Sequence, residues 1–248
     1  MTLARKVGLG VVALAGLLLA GVFWALGTDS GTRFLLGRAA PYLPAQLTLG
    51  TASGSVLGGI CMSSASWRTD AQDISLRDIC VDIEMAQLLS KHLAVRFLDV
   101  GETTIELYET TADDPPGGLP AVEAPLRISV ASSSLRNLSI RREQLQREVE
   151  RIEFSGSLRG SKLDITGLTV RSNWLDLDLD GGATLAEPYP GRLNMTWEWV
   201  TSPSLVLAGN LQLRGDLERY ELMHTLSLPQ RLVTRGSVSY STEQLTLD

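Results

Sequence analysis

Four acidic side chains around residue 180 have the spacing of a calcium-binding loop. Asp176, Asp178 and Asp180 alternate ahead of Gly181, and Glu187 follows after five further residues, which matches the EF-hand loop pattern. An EF-hand places that loop between two helices. Here leucines alternate with the acids at the two-residue period of a strand, and prolines follow at once. We therefore predict no metal site, and we expect these acids on the solvent-facing side of a strand that enters a Gly-Gly turn.

Cys61 and Cys80 lie at equal distances from the centre of a predicted hairpin turn at residues 70–71. Residues directly opposite each other at a non-hydrogen-bonded position come within disulfide range. The apolar alternation changes face between Leu76 and Ile79, however, and a bulge there would disturb the register. The sequence leaves two alternatives open, a disulfide in an oxidising compartment or two buried free thiols.

No set of side chains in the sequence is suited to catalysis. His92 and His224 are isolated, and the glycine motifs of phosphate loops and nucleophile elbows are missing. Two cysteines and two histidines are too few for a zinc site of the usual kind. The net charge of −6 argues against a nucleic-acid partner. We expect no enzymatic activity and no cofactor.

An uncharged apolar run from Val7 to Leu26 follows Arg5 and Lys6. Its length predicts a transmembrane helix, since about 20 helical residues cross the roughly 30 Å hydrocarbon core of a bilayer. The basic pair before the run places the N-terminus in the cytoplasm by the positive-inside rule. A cleaved signal peptide is the main alternative, although the run is longer than a signal's apolar region and has a bulky end.

A short helix is predicted directly after this run. Residues 28–30 can cap it, and Pro41 and Pro44 end it. Arg33 and Arg38 flank apolar residues, which is typical of a helix on a membrane surface. Packing of the helix on the first strands is equally compatible with the sequence.

From residue 46 onward the apolar period changes to two, which predicts strands with one apolar and one solvent-facing side. Short connections indicate an antiparallel sheet of about twelve to fourteen strands. We expect one or two helical turns, or a short irregular link, at Met85–Leu93 and a Pro- and Gly-rich loop at 113–124. Residues 137–151 fit a helix or, slightly better, a hairpin. The residues predicted to line the apolar side of the C-terminal half are Leu175, Leu177, Leu179, Leu193, Met195, Trp197, Trp199, Leu205, Leu207, Leu211 and Leu213.

An apolar sheet side of this size is not left uncovered on a soluble monomer. It must close on itself, pack against another chain or hold lipid. The lining is mostly leucine, and only 6% of the chain is aromatic, which favours a curled sheet with an apolar trough over a tight sandwich core. The predicted fold is therefore all-β, with a single N-terminal transmembrane helix and a curled antiparallel sheet. Its parts are a cytoplasmic stub and anchor (1–27), a juxtamembrane helix (28–45) and a periplasmic β-groove domain (46–248).

Five segments support a family resemblance over essentially the whole chain. They are Gly27–Leu36, Thr51–Ile60, Leu88–Val95, Pro188–Pro190 and Leu211–Gly215. The first two together are fairly specific, and the others are loose strand signatures. With these segments in this order, the sequence resembles the N-terminal part of the TamB family, the inner-membrane subunit of the translocation and assembly module. That family belongs to the AsmA-like group of bridge-like lipid-transfer proteins.

The resemblance implies a single-pass protein of the bacterial inner membrane, with a cytoplasmic N-terminus and an apolar groove in the periplasm. Such proteins pass phospholipid toward the outer membrane. They also support assembly of outer-membrane proteins and autotransporters with the barrel protein TamA. Family members are several times longer, so we expect this chain to be a fragment that lacks the region meeting TamA.

Four functions follow as hypotheses from the sequence. The first is a lipid-carrying trough. The second is a scaffold whose sheet edge pairs with client strands by β-augmentation. The third is a closed β-sandwich with a structural role, and the fourth, an enzyme, has no residue to support it.

Overall fold

The computed structural model describes residues 21, 23–39, 42, 44, 46–108, 122–142, 145–202, 204–241 and 244–247. Most of the predicted span Val7–Leu26 lies outside these residues, as does most of the predicted loop at 113–124. Residues 23–27 are helical. In the described ranges, no helix has the length and apolar character needed to cross a membrane.

The helix predicted after the apolar run is present as α1 (Asp29–Ala39). Thr28 joins it to the helical residues before it, because the Thr28 hydroxyl accepts a hydrogen bond from the Gly31 amide at 3.1 Å and donates one to the Trp24 carbonyl at 2.7 Å. The predicted cap is therefore confirmed. A second helix, α2 (Met85–Leu88), confirms the expected helical turn between two strands.

Fourteen strands form one sheet within the described residues. They are β1 (Leu47–Leu49), β2 (Ala52–Ser55), β3 (Gly59–Arg68), β4 (Gln72–Ile83), β5 (His92–Leu107), β6 (Ala124–Arg142), β7 (Leu145–Gly160), β8 (Lys162–Arg171), β9 (Leu175–Thr184), β10 (Gly191–Ser202), β11 (Leu205–Gly215), β12 (Tyr220–Leu228), β13 (Leu232–Ser241) and β14 (Gln244–Leu247). The hairpin interpretation of residues 137–151 is confirmed by β6 and β7, which pair up to Arg142 and Leu145.

The sheet is a single open layer. Strands follow one another in chain order from β3 to β14, while β1 and β2 share the outer edge of β3. The substantial contacts between described elements are those of neighbouring strands, of α1 with β2 and of α2 with β5. Since no second layer is packed on the described sheet, the closed-sandwich hypothesis is wrong for this part of the chain.

One strand pair departs from the antiparallel prediction. β5 and β6 run parallel, with His92 opposite Arg127 and Leu107 opposite Arg142. A parallel pair requires a long connection, and the end of β5 at Leu107 is well separated in the sequence from the start of β6 at Ala124. Alternation could not reveal the parallel pairing, because a strand shows the same apolar period in either direction.

Strands β3 to β7 share a step at which the apolar side chains lie three residues apart instead of two. Directly paired residues of neighbouring strands lie on the same side of the sheet, and the register pairs Leu135 with Ile152 and Leu138 with Val149. The same holds along the other strands of this region. The step residues, which are apolar except for the buried Thr103, are Met62/Ala65, Leu76/Ile79, Val100/Thr103, Leu135/Leu138 and Val149/Ile152.

The register survives because all five strands make the step at the same level. Asp78 and Asn137 take the left-handed conformation there, each with φ of 52°. Gly101 lies against Asp78, and a Cβ at Gly101 would lie 2.9 Å from the Asp78 Cβ. The bulge expected between Leu76 and Ile79 therefore does not shift the β3–β4 pairing. Cys61 faces Cys80, and the two sulfur atoms are bonded.

The left-handed backbone at Asn137 predicts different effects for two substitutions. Asn137→Val should lower the free energy of unfolding by about 1–2 kcal/mol, because a β-branched residue is disfavoured at positive φ. Asn137→Gly should leave it nearly unchanged, because glycine adopts positive φ without steric strain. Urea unfolding of the detergent-solubilised chain measures both, with Thr196→Val in the regular part of β10 as the control. Equal losses for Asn137→Val and Thr196→Val would contradict the role of the step.

Candidate functional site

A row of apolar residues crosses the sheet in continuous cross-strand pairing from β3 to β13. Each member is directly opposite the next, so all share one side of the sheet. The row is Met62, Ile79, Val100, Leu135, Ile152, Val170, Leu177, Trp197, Gly209, Leu226 and Leu232. We call this side of the sheet the apolar face.

The structure brings the predicted lining residues onto this face. Leu179, Met195 and Leu211 form a row beside the first one, and Leu175, Trp199 and Leu207 form another on its far side. Leu193 pairs with Leu213. Leu205 lies beyond a bulge in β10, pairs with Ser202 and is 42% exposed.

Sequence reasoning missed the half of the apolar face that β3 to β8 contribute, which includes Met62, Val100 and Ile152. Regular alternation breaks at the step, so these residues do not fit a single two-residue period. The sequence does contain a signal for the step. In these strands two non-aliphatic residues, instead of one, stand between consecutive residues of the apolar face, as Arg136 and Asn137 do between Leu135 and Leu138.

A ring stack fills the gap that Gly209 leaves in the row. The Trp197 and His224 rings are stacked with centroids 5.7 Å apart and planes 8° from parallel. A Cβ at Gly209 would lie 3.1 Å from Trp197 Cζ2 and 3.3 Å from His224 Nε2. The same Cβ would lie only 2.6 Å from the Thr225 carbonyl oxygen, so a larger residue at 209 would have to shift the β12 backbone as well as the two rings.

The apolar face is covered unevenly. Of the described hydrophobic side chains, those that are buried lie almost all at the step, as Ile79, Val100, Leu138 and Val149 do. In β8 to β13 the apolar side chains are half-buried or exposed, and Trp199 is 48% exposed. Because no described element packs on them, their neighbours in the sheet provide what cover they have.

The opposite face is polar and carries ion pairs. Arg77 pairs with Glu102 at 3.4 Å and Arg136 with Asp99 at 2.6 Å. These side chains are substantially exposed, so each pair contributes little to stability. Their role is to keep one face of the sheet soluble while the other stays apolar.

The three aspartates of the calcium-loop pattern lie on this polar face in β9, as predicted, whereas Glu187 lies in the turn after the strand. Asp178 binds the Arg171 guanidinium through both carboxylate oxygens, at 2.8 and 2.9 Å, and Asp180 accepts a hydrogen bond from Asn194. Among the described residues no cluster of metal-ligating side chains occurs. The predicted Gly-Gly turn is wrong, because Gly181 and Gly182 pair with β10 and the strand continues to Thr184.

The hydrogen bonds from Arg171, aided by one from Thr169, lower the pKa of Asp178 from its ordinary value of 3.8. Arg171→Gln should raise this pKa again, which an NMR titration of the Asp178 carboxyl carbon measures. Since the folded pKa lies below the unfolded one, the contact stabilises the fold near neutral pH, and that contribution is lost as pH falls through the folded pKa. Arg192→Gln, which removes an arginine that Asp178 does not bind, is the control. An unchanged titration in Arg171→Gln would contradict the assignment.

Comparison with known proteins identifies a family. The family model described as TamB, N-terminal domain, matches residues 109–248, which include β6 to β14 and all the predicted lining residues. No curated protein and no solved structure matches the chain.

Proposed function

The chain belongs to the TamB family, whose N-terminal domain matches more than half of its length, and on this premise we propose that it carries phospholipid on its apolar face. The observation that supports the proposal is the apolar row from β3 to β13, over which no described element packs. The chain acts in this proposal as a transport component and not as an enzyme.

Acyl chains suit this face for a physical reason. Burial of one methylene contributes about 0.8 kcal/mol and needs no directional partner. Ten strand-to-strand steps of about 4.8 Å make the row about 48 Å long. A single leaflet contributes about half of the roughly 30 Å hydrocarbon core, so an acyl chain is far shorter than the row. Lipid can therefore move along the row without its tails leaving apolar contact.

The proposal includes a location and a shape. The run Val7–Leu26 anchors the chain in the inner membrane, and the sheet curls in the periplasm so that the apolar face lines a trough. The Cys61–Cys80 disulfide supports this compartment, since disulfides persist where the environment is oxidising. The role extends to outer-membrane protein assembly with the barrel protein TamA.

A charge at the middle of the row should remove bound lipid. In Leu177→Arg the guanidinium would have to lose its hydration against acyl chains, at a cost of several kcal/mol. Thr196→Arg, on the polar face one strand away, should leave lipid content unchanged because its side chain stays in water. Phospholipid per chain is measured by native mass spectrometry after gentle extraction of the full chain from bacterial membranes, with circular dichroism to verify the sheet.

Two outcomes would count against the proposal. Equal phospholipid in folded Leu177→Arg and Thr196→Arg would show that the apolar face does not hold it. A wild-type chain free of phospholipid would favour the client scaffold, in which backbone groups at a sheet edge, and not apolar side chains, make the contacts.

A further inference from the structure

One side of α1 is fixed to the sheet. The Asp29 carboxylate accepts a hydrogen bond from the Gly54 amide at 3.0 Å, and Arg33 Nε donates one to the Ala52 carbonyl at 3.0 Å. Thr32, on the same side, is only 1% exposed. These contacts hold α1 along β2, so the helix and the first strands form one unit.

The helical residues before α1 belong to the same unit. The Leu57 amide, in the turn between β2 and β3, donates a hydrogen bond to the Leu26 carbonyl at 3.1 Å. Gly31 is buried against them, and a Cβ there would lie 2.6 Å from the Ala25 Cα. The end of the predicted membrane span is therefore joined to the edge of the sheet where the apolar face begins.

The other side of α1 is exposed. Its residues follow the helical spacing of a single face, and all are exposed: Ser30, Arg33, Phe34, Gly37 and Arg38. Phe34 is 50% exposed, its ring lies 6.1 Å from that of Trp24, and the Arg38 guanidinium lies 5.4 Å over it. This face carries one aromatic ring and two arginines. Arg33 lies at its border, where it hydrogen-bonds to β2 and pairs with the Asp29 carboxylate at 2.9 Å, so the net positive charge of the face comes from Arg38.

We propose that this exposed face of α1, together with Trp24, binds the anionic headgroup surface of the bilayer that the N-terminal run enters. Two observations select this occupant. The apolar run ends at Leu26, two residues after Trp24, and aromatic side chains favour the level of the headgroups. The Arg38 guanidinium, which lies over the exposed Phe34 ring, complements anionic lipids. The inference rests on the membrane anchor of the proposed function.

Binding of α1 to the bilayer would set the position of the sheet relative to the membrane. Because α1 is bonded to β2, binding of its exposed face to the bilayer fixes the tilt of the whole sheet. It also holds the start of the apolar face, at β2 and β3, at the level of the headgroups. Trp24, Phe34 and Arg38 are thus positioning residues for the site and do not contact transported lipid in the trough.

A single fluorescent probe on α1 tests the inference in the full chain. Gly37→Cys provides the attachment point, because a Cβ at Gly37 has open space around it and the two native cysteines are bonded to each other. The labelled chain is reconstituted in phosphatidylcholine vesicles with and without phosphatidylglycerol. We expect a blue-shifted probe that nitroxide lipids quench, most strongly with phosphatidylglycerol. A probe at Thr196→Cys, on the polar face of β10, should stay aqueous.

Two substitutions test the contributions of the Arg38 charge and the Phe34 ring separately. Arg38→Gln should lower the ratio of bound to free helix roughly fivefold in anionic vesicles, and Phe34→Ser should weaken quenching in both lipid compositions. Arg192→Gln removes the same charge far from α1 and should change nothing. Equal effects of Arg38→Gln and Arg192→Gln would overturn the inference.

The outcomes separate this inference from the proposed function. An aqueous probe at residue 37 in chains that float with vesicles would overturn the inference and leave lipid carriage to its own test. Chains that do not float with vesicles would overturn it together with its premise, the anchor. A quenched probe at residue 37 in a chain without co-purifying phospholipid would support the inference while removing the proposed function.

Discussion

Register is the constraint on which this sheet depends. A slip of one residue between two strands would move every apolar side chain of the slipped strand to the polar side. In a protein with two packed layers, the second layer would resist such a slip. Here no second layer packs on the described strands, so pairing with neighbours alone must keep the apolar face continuous. A change of face along one strand, such as the step, therefore has to be matched by the adjacent strand if the apolar face is to stay continuous.

The step in β3 to β7 shows how that matching works. Asp78 and Asn137 leave the extended conformation, yet the pairing on both sides of them stays in register. The best-buried hydrophobic side chains, among them Ile79 and Val149, gather at this step. We infer that the concerted change of face brings side chains closer there and gives the open sheet a small core of its own.

The apolar face is covered unevenly along the sheet, which is consistent with a stabilising role for the strands at the step and a lipid-binding role for the strands from β8 onward. Around the step the side chains shield one another, which stabilises the N-terminal strands to which α1 is bonded. From β8 onward they remain half-exposed, and even the polar His224 lies on this face, where stacking on Trp197 covers one side of its ring. Exposed apolar surface of this kind costs solubility unless something covers it, and in the proposed function phospholipid supplies the cover.

The sequence alone determined the features that are local. Alternation in β9 to β11 identified the strands and their apolar residues, because a two-residue period specifies which side each residue occupies wherever a strand is regular. The cap at Thr28 and the polar position of Asp178 followed from equally short patterns. Symmetry about the turn at residues 70–71 offered Cys61 opposite Cys80 as one of two alternatives, and the structure decided for it because the step does not shift the β3–β4 pairing.

Only the tertiary structure decided what depends on the relation between distant segments. The parallel pairing of β5 with β6 left no trace in the alternation, because the period is the same in both directions. In the sequence of each single strand, the step is only a break in the two-residue period. The structure shows that five neighbouring strands share this break at the same level. The sequence of α1 allowed two interpretations, a helix on the membrane surface or a helix packed on the first strands. The structure shows that one side of α1 packs on β2 while the other side is exposed. In each case the deciding interactions join residues that are far apart in the chain, and no local pattern records them.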